Sequence, residues 1–318
     1  MKGLGHVVAL CGGVGGAKLA FGLTKILPVD QLTIIVNTGD DFEHLGLHVS
    51  PDIDTVVYTL AGLSDRERGW GLAGETWGFM SALRRLGGDA WFNLGDHDLA
   101  MHVERTRRLT AGESLSAITG ALARALGVTA NIAPMSDDPV RTIVVTDDAE
   151  LGFQRYFVGE QCRPVASAIR FQGAGEARLS EAARAALTRP DLEAVILCPS
   201  NPYLSIDPIL AVPGVREALA RTDAAIVAVS PIIGGEALKG PAAKLMRELG
   251  AEPGVLAVAD HYRGLIGALV IDDADAADAA ALAARGVVPL VTGSVMITDA
   301  DRARLAAETL ELARTLRK

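Results

Sequence analysis

Glycine and aspartate crowd the N-terminal part of the chain in a pattern suited to phosphate chemistry. Gly12, Gly13, Gly15 and Gly16 follow directly on an apolar run. A glycine loop between a strand and a helix leaves backbone N–H groups bare and lets a phosphate approach closely. A second apolar run ends in Asn37-Thr38-Gly39-Asp40-Asp41, and Ser50-Pro51-Asp52-Ile53-Asp54-Thr55 comes soon after. Carboxylates beside such a loop would repel a phosphate unless a cation stood between them. The combination implies a site for a metal-bound phosphate ester; the plainer alternative is a tight turn that only packs a strand against a helix.

The spacing departs from both common nucleotide loops. A Walker A loop requires Gly-Lys-Ser/Thr after four intervening residues, whereas Ala17-Lys18-Leu19 stands here. The dinucleotide fingerprint, counted from Gly13 and Gly15, requires its third small residue where Lys18 stands. Neither an ATPase nor a standard dehydrogenase is indicated. Ser50-Pro51-Asp52 has the form of a helix start, with an N-cap, a first-turn proline and an acid that complements the helix dipole. Asp54 escapes that explanation, because residues two apart on a helix do not share a face. It is expected to point into the pocket.

Other candidates carry less. Leu94-Gly95-Asp96-His97-Asp98 holds a D-x-D too short to assign a metal. Arg105, Arg107 and Arg108 have the pattern of a solvated helix face; if that helix faced the pocket, Arg105 would pair with a phosphate. His44 and His48 show zinc-like spacing, but Gly46 between them and the lack of a third ligand argue against zinc. Neither Ser200 nor Ser230 lies in a nucleophile elbow. Ser200-Asn201 is better suited to donating hydrogen bonds from a strand end to a phosphate or a base.

The elements that must position these residues alternate. Apolar runs at 6–10, 32–36, 194–197, 224–229 and 287–291 each lead into a small or polar loop, and helices are expected at 17–27, 180–187, 215–220, 242–249 and 301–316. Continuous apolar runs suit strands buried on both faces. The pattern predicts an α/β fold, a doubly wound, mostly parallel Rossmann-like sheet with helices on both faces and ligands beyond the carboxyl ends of its strands. Residues 62–165 break the pattern, with helices at 77–86 and 114–126 and a hairpin of 141–146 with 153–158. They are expected to form an inserted, mainly helical subdomain closing over the active site, leaving a discontinuous core of 1–61 and 166–318. The stretch 272–285 suggests a helix flanked by a loop.

Composition narrows the class. The 318 residues are 49% hydrophobic but 4% aromatic, which favours an aliphatic parallel sheet under alanine-rich helices over a β-sandwich. A net charge of -9 argues against a nucleic-acid surface. Cys11, Cys162 and Cys198 are odd in number and have no C-x-x-C spacing, so free thiols in a reducing compartment are expected. No signal-peptide pattern and no apolar run near twenty residues occurs, which points to the cytosol and to no membrane partner.

The ordered motifs at 12–18, 37–41, 51–55, 69–71, 94–96, 134–139, 199–202 and 230–234 resemble those of the CofD/FbiA family, the 2-phospho-L-lactate transferases of coenzyme F-420 biosynthesis. The resemblance covers nearly the whole chain. It implies a Mg²⁺-dependent transfer of a phospholactyl, phosphoenolpyruvyl or phosphoglyceryl group from a guanosine diphosphate-linked donor to the ribityl hydroxyl of the deazaflavin Fo. The products are GMP and coenzyme F-420-0 or its dehydro form. By the same resemblance Asp40 and Asp54 are the metal and catalytic acids. Gly12, Gly13, Gly15, Gly16, Thr38, Asn93, Ser200, Asn201 and Pro202 line the substrate site, although Asn93 replaces a residue that tends to be basic in archaeal members. A homodimer is a further family expectation. Attack of an alcohol on a diphosphate needs charge neutralisation, in-line positioning and a path for one proton, and no covalent nucleophile. The alternative is a non-enzymatic UDP-sugar-binding regulator of the YvcK type, which shares a glycine-rich start.

Overall fold

The computed structural model describes residues 5–316, and seven parallel strands form its central sheet. These are β1 (His6–Cys11), β2 (Leu32–Val36), β3 (Asn131–Pro134), β4 (Leu192–Leu197), β5 (Ala225–Val229), β6 (Ala268–Ile271) and β7 (Val288–Val291). Their order across the sheet is β7-β6-β5-β4-β1-β2-β3. β1, β2 and β4 are buried along their whole length, which accounts for their apolar sequences. Leu10 of β1 registers with Ile35 on one side and Leu197 on the other.

Alternate residues of each strand feed two separate cores. Val8, Leu10, Ile35, Val195 and Leu197 pack with Leu187, Ile209 and Val258 on one face. Val7, Ala9, Ile34, Val36 and Ile196 pack with Ala17, Leu23, Val57, Leu305 and Leu310 on the other. The chain runs outward from β1 through β2 to β3, then returns to place β4 on the far side of β1. The strand order therefore reverses between β1 and β4, and a crevice opens beyond their carboxyl ends.

Several boundaries differ from the sequence expectation. Helix α1 spans Gly13–Ile26 and begins four residues before position 17, so Gly13, Gly15 and Gly16 form its first turn rather than a free loop. β6, Ala268–Ile271, is a further strand that no expected apolar run marks. β3 lies inside 62–165 and hydrogen-bonds β2, so that mainly helical stretch also supplies an edge of the main sheet. Its Pro134 is tolerated because an edge strand needs fewer donors. The expected hairpin changes partner. Arg141–Thr146 pairs with Glu150–Gly152 around a turn closed by Thr146 N–H to Ala149 O (2.9 Å), and Ala166–Gln172 pairs on its other side. Residues Arg155–Gly159 are helical.

Helix α2 (Pro51–Ala61) precedes this part, whose own longer helices are α3 (Gly78–Arg85), α4 (Asp96–Thr110) and α5 (Leu115–Ala125). Helices at Glu181–Leu187, Val215–Arg221, Ala242–Glu248 and Asp299–Leu316 lie close to the expected positions. Residues Asp273–Asp278 form a 3-10 turn that leads into helix Ala279–Ala284. Cys11 and Cys198 are buried free thiols, and no described helix is long and apolar enough to cross a membrane.

Candidate active site

Two strand ends meet tightly at the crevice. Ser200 Oγ accepts from Gly12 N–H (3.1 Å) and donates to Gly12 O (2.8 Å), stitching the end of β4 to that of β1. Gly13, with φ +62, donates its N–H to Asp52 Oδ1 (2.7 Å). A Cβ on Gly12 would fall 2.2 Å from Asp52 Oδ2, on Gly15 2.3 Å from Pro199 O, and on Gly16 2.4 Å from Ser200 Oγ. These glycines are bare because the neighbouring chain occupies the space a side chain would need. Two loop amides are thus already engaged by the protein itself. The half-buried Val14 and Gly15, in the first turn of α1, have no helical carbonyl one turn earlier to bond.

Across from this turn, Asn201 caps the helical turn that Pro202 begins, its Oδ1 accepting from Tyr203 N–H (3.0 Å) and Leu204 N–H (3.3 Å). Asn201 Nδ2 is buried without a partner. Ser200 serves as a strut between loops, and Asn201 Nδ2 is the donor at this strand end left for a ligand. Asn93 is exposed and accepts from Arg84, with no contact to the other candidates.

The acids beyond β2 are buried. Asp40, Asp41, Asp52 and Asp54 are each about 5% exposed or less apart from Asp52 at 6%. Asp52 leaves its own helix to accept from Gly13 N–H and from Asn37 Nδ2 (2.9 Å), so it ties α1, β2 and α2 together. Burial pushes its carboxyl up to about 6 against the donation from Asn37 and Gly13. Burial, with the charge of Asp52, also pushes Asp40 well above the usual carboxylate range. Asp40 Oδ1, Asp41 Oδ1 and Thr38 Oγ1 have no hydrogen-bond partner. The other Asp41 oxygen accepts from Ser50 Oγ (2.8 Å) and meets His48 Nε2 (3.1 Å). Ser50 therefore serves Asp41 and does not cap α2 through its side chain.

Asp54 faces a different neighbour. Arg105 of α4 is 1% exposed and grips both Asp54 oxygens, NH1 reaching Oδ2 at 3.2 Å. The same guanidinium meets His102 Nδ1 (3.3 Å), and Tyr58 OH donates to Asp98. Burial raises the Asp54 carboxyl even with Arg105 beside it. Arg105 is thus part of a helix–helix seam, not a solvated face; Arg107 is exposed and Arg108 half-buried, paired with Glu104 and Glu113. Sequence reasoning passed over Tyr58 and His102. Their signal was the helical spacing of Asp54 with Tyr58 and of Asp98 with His102 and Arg105. It also passed over Thr142, whose N–H donates to Gly39 O (2.6 Å) and whose Oγ1 would lie 2.8 Å from a Cβ on Gly39.

Two sets of residues could receive a divalent cation. Asp54, Asp98 and His102 place one ligand atom each within 4.8 Å of one another, the only such group among the described residues. There Arg105 and Tyr58 already satisfy the carboxylates. Asp40, with an orphaned buried oxygen beside those of Asp41 and Thr38, has the unmet negative charge and hard oxygen donors that suit Mg²⁺. The chain's residues fit such an ion.

A parallel sheet with a glycine turn, unpaired acids and free amides at its switch point defines an α/β protein built to handle phosphate esters. The family model described as 2-phospho-L-lactate transferase CofD matches residues 7–309, and the chain belongs to this family of transferases. A phosphoenolpyruvate transferase of Kitasatospora aureofaciens is 42% identical over 97% of this chain and 99% of that protein. One from Streptomyces coelicolor is 41% identical over 98% and 99%. A 2-phospho-L-lactate transferase of Methanosarcina acetivorans is 38% identical over 95% and 97%. Among solved structures, protein BH3568 of Bacillus halodurans shares the fold, with a TM-score of 0.63 at 18% identity over 96% of this chain and 99% of that one.

Proposed function

We propose that the protein transfers a phosphoenolpyruvyl group from a guanosine diphosphate-linked donor to the ribityl hydroxyl of Fo, giving dehydro coenzyme F-420-0 and GMP. The choice of acid rests on the phosphoenolpyruvate transferases, which match at 41–42% identity over nearly full length, against 38% for the Methanosarcina acetivorans lactyl enzyme. The observation that carries the chemistry is Asp40, a buried acid with an unpartnered oxygen, within reach of the charge of the Asp52 that holds Gly13 N–H in the first turn of α1. Asp40 would hold Mg²⁺, joined by Asp54 where that carboxylate gives up part of its pairing with Arg105, and the ion when bound would neutralise the donor diphosphate.

The chain's own groups supply the rest. Val14 and Gly15 N–H groups and Asn201 Nδ2 orient donor oxygens. Asp54, its carboxyl raised by burial and its plane fixed by Arg105, steers the ribityl hydroxyl and accepts its proton. Thr38 and Pro202 remain in the proposed substrate surface, while Asn93, bound to Arg84 and apart from the other candidates, is assigned to it by the family resemblance alone. The same reading includes a cytosolic homodimer acting on small molecules alone, which light scattering on the purified protein checks.

The decisive experiment incubates the protein with Fo, Mg²⁺ and each of the three donors, and reads product mass. Dehydro coenzyme F-420-0 from the phosphoenolpyruvyl donor is expected. A product formed only from the lactyl donor would replace the acid. No product with any donor, together with stabilisation by a UDP-sugar, would favour the regulator instead.

A further inference from the structure

Four cations gather at the crevice on the side away from the aspartates. Lys18 of α1 reaches across to Met296 O (2.9 Å), in the segment after β7. Arg302 lies in helix Asp299–Leu316, which packs so closely on α1 that a Cβ on Gly22 would fall 2.0 Å from Arg302 O. Lys239, in the segment after β5, lies against the turn at Gly69, where a Cβ would meet its Nζ at 2.0 Å. That turn is held by Asp65, which accepts from Glu67 and Arg68 N–H groups, and it also carries Arg66.

Counter-charge is scarce there. Arg66 (3.1 Å) and Arg302 (3.3 Å) share the single carboxylate of Asp299, while Lys18 and Lys239 have no acidic partner among the described residues. Arg302 is 3% exposed, and its Nε has no hydrogen-bond partner. Burial, then the charges of Arg302, Lys239 and Arg66, lower the Lys18 pKa. Arg68 has Asp65 to itself and lies over Trp70 and Trp77, so it is balanced more fully than Arg302, which lies over Phe21 but shares Asp299 with Arg66. In a chain of net charge -9, a concentration of positive charge this local draws anions to it.

We propose that Lys18, Arg66, Lys239 and Arg302 form an anion subsite that takes the phosphates of the donor nucleotide. The site rests on the transferase reading for the identity of the nucleotide. Its place follows from the elements that carry the two sets. The aspartates come from the loop after β2 and from α2, whereas Lys239 follows β5, Arg302 follows β7, Lys18 lies on α1 beyond its first turn and Arg66 on the turn after α2. A donor diphosphate reaching from one set to the other would meet the acids through a metal at one end and the cations directly at the other.

Calorimetric titration of GDP into the wild-type protein, Lys239→Ala and Lys18→Met tests the assignment, with Fo titrated in parallel. Each substitution should weaken GDP binding about tenfold or more and leave Fo binding unchanged, and Lys239→Arg should retain it. The wild-type GDP affinity should fall steeply with added KCl, less so in the variants. Lys239 is exposed, so its variants are expected to keep the wild-type melting temperature. Unchanged GDP affinity in both variants, or a loss confined to Fo, would overturn the subsite. Inorganic pyrophosphate separates the two readings: if the wild type binds it but not GDP, and the substitutions weaken that binding, the anion subsite stands and the guanosine donor falls.

Discussion

Asp40 Oδ1 is buried without a donor, and its carboxyl is raised by burial and by Asp52. Such a group opposes folding while it waits for a cation. Asp40→Asn should therefore stabilise the metal-free protein by about 1 kcal/mol while lowering turnover about a hundredfold or more. Urea unfolding and single-turnover assays read the two effects separately. Asp54 differs because Arg105 depends on it. Asp54→Asn should abolish turnover and also cost roughly 3–5 kcal/mol by leaving a buried guanidinium poorly paired. Adding Arg105→Met should restore much of the stability but none of the activity; near-normal turnover in Asp54→Asn would refute the role given to Asp54.

At the scale of elements, the site is made by chain segments locked to one another beyond the strand ends. Asp52 joins α1 to β2, Ser200 joins β4 to β1, and Asp272 joins the end of β6 to the segment after β7. Burial works against the ionised Asp272, but donation from Ser294 N–H (2.7 Å), Ser294 Oγ (2.9 Å) and Ala274 N–H (3.1 Å) outweighs it and lowers the pKa. A carboxylate depressed by folding adds stability above its unfolded pKa of about 3.9, and that stability is lost as pH falls through the folded value. The stability difference between wild type and Asp272→Asn should be full near neutral pH and shrink below about pH 4, as chemical denaturation across pH would show.

For the whole molecule, the position of β3 matters most. Because β3 completes the sheet and α4 supplies Arg105, residues 62–165 are woven into the core. Excising them and joining 61 to 166 should leave a chain that does not fold, with lost circular dichroism and no cooperative melt. A folded remainder would restore the picture of a separable insertion.

Much of this was legible in the residues. Runs such as Val7–Leu10 and Ile34–Val36 are apolar without alternation because both faces of the sheet are covered, and a local property of that kind survives in the sequence. The phosphate-site reading was equally local, since glycines and acids at strand ends mark close approach and charge. Ala268–Ile271 and Asn131–Pro134 were not legible, being short and, in the second case, interrupted by polar Asn131 and terminal Pro134. Nor was Arg105, whose i, i+2 and i+3 arginine pattern suits a solvated face until α4 is laid against α2. Only the tertiary structure decided which acids are paired, which glycine amides are spent on the protein itself, and where the cations collect. Those outcomes depend on contacts between residues far apart in the chain, and no spacing along it encodes them.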